Sequence, residues 1–251
     1  MQMKTAAIVS VVLLGGISAA AAAADIAFPG GSVSLGGAGA EGLSTPLRLV
    51  LLLTVLSLAP SILLMVTAFT RIIIVLAMLR HALGMPETPP NAVLVSLALF
   101  LTLFTMLPVW DKVNEQAVQP YVQRQISDKD FLDRSLEPIR GFMLAQTREK
   151  DILLMLDLAK TERPASPADL KVVHLIPAFM LSELRRAFEI GFVIFLPFVL
   201  IDMIVASVLM SLGMIMVPPA AFALPLKILL FVLIDGWNLL AAGLVKSFMA
   251  S

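Results

Sequence analysis

From Pro177 to Val217 the chain reads PAFMLSELRRAFEIGFVIFLPFVLIDMIVASVLMSLGMIMV. A tight charge cluster, Glu183, Arg185, Arg186 and Glu189, precedes a run from Ile190 to Val217 whose one ionisable group is Asp202. Such a run is long enough to cross a bilayer as a helix, which takes about 20 residues. It closes in an uncharged, methionine-bearing turn, Gly213-Met214-Ile215-Met216-Val217-Pro218-Pro219, where the tip of a membrane helix is ordinarily polar.

The same bias extends over the whole chain: of 251 residues, 59% are hydrophobic and 14% charged. Soluble domains carry about 25% charged residues, so the missing charge predicts an all-α polytopic membrane protein. A formal net charge of zero offers nothing to nucleic acid. The absence of cysteine excludes a disulfide framework, a thiolate nucleophile and a thiolate metal site, and two histidines make no metal cluster. No cofactor is expected.

Working outward, residues 1–24 read as a cleavable signal peptide. Lys4 is the charged region, Ala6 to Ile17 the apolar region and Ala22-Ala23-Ala24 the cleavage site. Residues 25–45, rich in Gly, Ser and Ala, read as a flexible linker. Residues 46–110 read as a first apolar hairpin: one over-long segment from Pro46 to Leu79 containing Arg71, then Ala92 to Val109, bounded by Pro108 and Trp110. Residues 111–176 are rich in charge of both signs and predict a small helical domain. There Ser127-x-x-Asp130 resembles a capping box, and Thr147 is expected to cap the run from Glu149. Residues 177–251 form a second hairpin across the methionine turn, its return arm running from Ala220 to Val245. Four crossings from an exported N-terminus put Arg80-His81 and the methionine turn inside and the charged domain outside.

Charges in apolar segments need partners, because an unpaired one is costly. Glu183 is expected to pair with Lys227, within or between subunits. Arg185 and Glu189, four apart, suit a helix-surface pair, as do Glu183 and Arg186. Asp202 and Asp235 lack the sequence contexts of intramembrane aspartyl proteases and read as carboxylates that pair with a cation or cap a helix break. Ala187 and Gly191 make a small-xxx-small step for close helix packing. No catalytic arrangement or phosphate-binding loop is present, so no enzyme is expected. The rival class is a small-solute transporter with Asp202 as coupling carboxylate, but the repeated halves usual in such proteins are missing.

The run Pro177 to Pro197 resembles the signature of the FliP family (FliP/SctR) of type III export-gate membrane proteins. Pro197 to Met214 is similar to its second signature, and PLKILLFVLIDGWNLL, Pro225 to Leu240, also looks like that family. The resemblance implies a homo-oligomer of about five copies in a ring-like or helical arrangement with FliQ and FliR. FliO would serve its assembly, and FlhA and FlhB would share the export apparatus. It further implies a place in the bacterial inner membrane, in the flagellar basal body, with a periplasmic domain and unfolded flagellar subunits as cargo. The injectisome homologues share this architecture, and the cleavable signal favours the flagellar branch. The family's gate is closed by methionines, usually Met-Met-Met. The matching residues here are Met214-Ile215-Met216, with Met210 expected on the helix face of Met214. Ile215 departs from that pattern and is stiffer at χ1.

Overall fold

The computed structural model describes residues 25–28, 31–34, 45–164, 170–214 and 216–249. The expected signal peptide lies outside them. The chain divides into two compact units, residues 1–60 and 61–251. In the first, β1 (Asp25–Phe28) and β2 (Gly31–Ser34) pair antiparallel from Asp25 with Ser34 to Phe28 with Gly31. The stretch read as a linker therefore carries a short hairpin. Helix α1 (Thr45–Met65) starts in this unit, with Pro46 in its first turn, where a missing N–H costs nothing.

The secondary-structure elements among the described residues of the second unit are helices. They form α2 (Phe69–Ala82), α3 (Asn91–Val113), a π-helical turn (Asn114–Val118) and α4 (Gln119–Val122). After these come α5 (Asp128–Gln146), α6 (Glu149–Leu158), α7 (Val172–Ser211), α8 (Ala220–Leu233) and α9 (Gly236–Met249).

Three apolar segments depart from their expected extents. The first is two helices, broken at residues 66–68. Thr67 serves both ends there, its hydroxyl donating to the Leu64 carbonyl (3.2 Å) and accepting from the Phe69 N–H (3.4 Å). The second does not stop at Pro108–Trp110: α3 continues through Pro108, and the widened π turn carries the chain on towards Pro120, which has no N–H for a regular ladder. The return arm of the second hairpin divides at residues 234–235, and α8 and α9 meet at 65°. Asp235 takes the left-handed conformation there, φ 52°. The next residue must be glycine, because a Cβ on Gly236 would run into the Phe231 ring.

Helix α7 is the spine. At 1.5 Å per residue its 40 residues extend about 60 Å, twice the roughly 30 Å of a bilayer core. Its inward face joins α2, α3 and α9 in a core containing Ile72, Val75, Leu76, Ala98, Ala187 and Leu244. Its first turns carry a second core, Leu175 and Phe179 against Met143 of α5 and Leu156 of α6. The charged helices therefore fold onto the start of the spine. No helix break falls at 110/111 or 176/177, where domain boundaries were expected. Helix α7 and the helical stretch Asn91–Val122 are each long and apolar enough to cross a membrane; the pairs α1–α2 and α8–α9 meet that test jointly.

Helix α5 opens with the expected capping box. The Ser127 hydroxyl accepts from the Asp130 N–H (3.3 Å) and donates to its carboxylate (2.7 Å). The hydrogen bonds that the Ser127 hydroxyl and the Ser127 backbone N–H (3.4 Å) donate to it hold the Asp130 carboxyl below the usual carboxylate range. Thr147 does not cap α6 as expected. Its hydroxyl turns back to the Met143 carbonyl (2.6 Å) and closes α5, which leaves Arg148 at the start of α6.

Candidate functional site: buried charges and the methionine turn

Arg71 is the largest fully buried side chain among the described residues. A guanidinium has five N–H donors in a planar fork, and here each has an acceptor. Nε donates to Glu183 Oε2 (2.9 Å), and Nη2 donates to Glu183 Oε1 and to Gln146 Oε1 (2.9 Å). Nη1 donates to the Ser247 carbonyl (3.3 Å) and hydroxyl (3.0 Å). The Phe248 ring covers the guanidinium at 3.7 Å. Arg186 adds a second donor to Gln146 Oε1 (2.9 Å). One side chain of α2 thus gathers α5, α7 and α9.

The expected pairing of Glu183 with Lys227 does not occur within the chain. Glu183 is taken by Arg71, and Lys227 Nζ donates to Asp202 Oδ2 (2.6 Å) and to the Ala82 carbonyl (3.1 Å). The geometry explains this: Glu183 and Asp202 lie 19 positions apart on one long helix, too far for a single lysine to serve either. A cation near the last carbonyls of α2 is also favoured by the helix dipole. Asp202, the coupling carboxylate that a solute transporter would need, is thus held in an ion pair. Asp235 lies at the α8–α9 break and accepts from the Asn238 amide (2.6 Å). Arg185 and Glu189 form an exposed pair at 2.7 Å.

Two further groups carried no sequence signal. Asp151 is gripped by Arg148 (2.8 Å) and accepts from the Ser182 hydroxyl, which ties α6 to α7. Ser182 in turn accepts from the Arg148 N–H (3.1 Å), supplying at the entry to α6 the acceptor that Thr147 does not. Ala187 and Gly191 lie on the α2-facing side of α7, where a Cβ on Gly191 would collide with Met78.

Helix α7 ends at Ser211, so Met210 and Met214 do not share its face as expected. Gly213, at φ 76°, reverses the chain. Its N–H reaches the Met210 carbonyl (3.0 Å), and the Met214 N–H reaches that of Leu209 (3.0 Å), which is a Schellman closure. Met210 and Met216 are 63% and 97% exposed, and Met214 about a third. Ile215 lies outside the described residues. The end of α7 is therefore locked by its backbone at Gly213 and Met214, with the Met210 and Met216 side chains exposed.

Residues 52–244 match the FliP family model. The chain belongs to the FliP family. It is 50% identical over 208 residues to the flagellar biosynthetic protein FliP of Bacillus subtilis (strain 168), covering 83% of this chain and 94% of that protein. It is 51% identical over 210 residues to FliP of Pectobacterium carotovorum subsp. carotovorum, covering 84% of this chain and 81% of that one. Its likeness to FliP of Caulobacter vibrioides, 45% over 248 residues, takes in 98% of this chain and 92% of the relative. The FliP family is a structural component of flagellar export, not a group of enzymes. The matched span contains Arg71, Glu183, Asp202, Lys227 and the methionine turn; Ser247 and Phe248 fall just past its end.

Proposed function

We propose that the chain is a core subunit of the flagellar type III export gate, in the bacterial inner membrane at the flagellar basal body. Several copies assemble with FliQ and FliR into the conduit for unfolded flagellar subunits. FliO assists this assembly, and FlhA and FlhB complete the apparatus. The charged helices α5 and α6 face the periplasm. The methionine turn, with Met210 at its base, closes the conduit.

One observation carries this reading: the methionine turn projects from an apolar hairpin whose core charges, Glu183 and Lys227, are satisfied inside the subunit. Methionine suits such a seal because its unbranched thioether adapts to irregular gaps and asks for no fixed partner. A hydrophobic constriction also stops ions by dewetting. The exposed face of α7, with Phe188, Phe192, Val193, Leu200, Met203 and Ile204, supplies apolar surface for neighbouring subunits or lipid.

The test replaces Met214, Ile215 and Met216 together with alanine. The expected result is an assembly that still co-purifies with FliQ and FliR but leaks small ions, read as a loss of membrane potential. A variant that assembles, leaks nothing and exports at the parental rate removes the sealing role. A parental chain that purifies alone as a monomer removes the gate reading itself.

A further inference from the structure

We infer that the last turn of α9 is a strap that couples the charged helix α5 to the hairpin carrying the methionine turn. The last four carbonyls of a helix have no partner within it. Here the Ser247 carbonyl accepts from Arg71 (3.3 Å) and the Phe248 carbonyl from the Gln146 amide (3.2 Å). A helix of the hairpin is thus capped by side chains of α2 and α5. The Phe248 ring covers the Arg71 guanidinium on one side and stacks with Phe142 of α5 at 6.1 Å. Phe142 in turn meets Phe179 of α7 edge-on at 5.9 Å.

The contacts lie at the junction of two cores, and Ser247 and Phe248 close it. Without them two donors of Arg71 lose their acceptors in a dry site, and Gln146 loses one contact across to α9. That loss is borne by α2 and α5 as well as by α9. At the other end of α9 the bend at Asp235 leads into α8 and the methionine turn. A displacement of the strap therefore acts on one rigid helix whose two ends touch the charged helices and the bend. This coupling is independent of what the hairpin conducts.

Hydrogen exchange of the detergent-purified full chain tests it. Phe248→Ala is expected to speed exchange of the backbone amides of Gly141 to Gln146 by about tenfold or more. Phe248→Leu, which keeps apolar bulk but loses the ring face, gives a smaller rise at the same amides. Met249→Ala and Lys246→Ala, exposed residues of the same turn, leave them within about twofold of the parent. Coupling is reciprocal, so Gln146→Leu speeds exchange in the last turn of α9. Faster exchange confined to α9 in both Phe248 variants would be fraying and would overturn the strap, as would an equal rise from Met249→Ala. Should Phe248→Ala yield no protein, Phe248→Leu and Gln146→Leu decide the matter alone.

Discussion

Replacing Arg71 with leucine takes from the buried Glu183 the guanidinium that donates to both its oxygens, leaving the charge of Arg186 as a weaker offset. Both side chains are fully inaccessible, so water cannot screen the loss. Removing one partner of such a pair costs about 3–5 kcal/mol. The Ser247 carbonyl also loses its Arg71 donor, at about 1–3 kcal/mol for a buried acceptor left unmade. Gln146 Oε1 suffers less, because Arg186 still donates to it. The ion-pair part alone lowers the folded-to-unfolded ratio by about two to three and a half orders of magnitude. That is a large share of a typical stability of about 5–15 kcal/mol. Thermal unfolding in detergent and the steady-state amount of chain in membranes report it. Arg71→Lys falls between, because an ammonium keeps the charge but lacks the fork that reaches Glu183, Gln146 and Ser247 together. The double variant Arg71→Leu/Glu183→Leu removes both charges and regains most of the ion-pair part, since well-packed apolar pairs often replace buried ion pairs without loss. An Arg71→Leu chain that melts with the parent, or a double variant no more stable than Arg71→Leu alone, refutes this account of the cluster.

The second ion pair is asymmetric, with Lys227 8% exposed and Asp202 45%. Asp202→Asn strands a buried ammonium, whereas Lys227→Met leaves a carboxylate at the surface of α7, free to turn away from the core; Asp202→Asn is expected to lower the melting temperature in detergent more, and the reverse order sinks the argument. At the start of α5 the hydrogen bonds from Ser127 place the folded-state pKa of Asp130 below its unfolded value. The stability it lends is complete above the unfolded pKa and lost as pH falls through the folded one. A carboxyl titration by NMR of aspartate-labelled protein should show Asp130 moving up towards the ordinary range in Ser127→Ala, and no movement means that Ser127 is not the cause.

Helical class and the presence of segments long and apolar enough to cross a membrane were legible because they rest on composition and on runs of apolar residues, which need no knowledge of partners. The capping box at Ser127 was legible because its chemistry is local. What failed was non-local. Glu183 and Lys227 were matched as charges in neighbouring apolar segments of one hairpin, but α7 is a single rod and keeps its charges at separate heights. Arg71, noted only as a charge in an over-long segment, is the group at Glu183's height. Its reach to Gln146 and to the last turn of α9 spans 75 and 176 positions of sequence, and no periodicity links them. Thr147 failed for a related reason: two helix ends compete for it, and Ser182, 34 positions from the Arg148 N–H it receives, leaves it free to close α5. The break at residues 66–68 was hidden because it contains neither the glycine nor the proline that usually marks a stop; at 234–235 the reading of Asp235 as a carboxylate that pairs with a cation or caps a helix break had pointed to a stop, which Gly236 follows. At the first, a threonine hydroxyl substitutes for the cap; at the second, Asp235 takes the left-handed conformation ordinarily given to glycine, and Asn238 holds its carboxylate. In an apolar chain with few charges, each charge is a constraint on where helices stop and at what height they meet. Because Arg71 takes Glu183, and Lys227 takes both Asp202 and the Ala82 carbonyl, α2 is fixed to α7 at one level and α8 to both at another, and the methionine turn follows from α7 and α8.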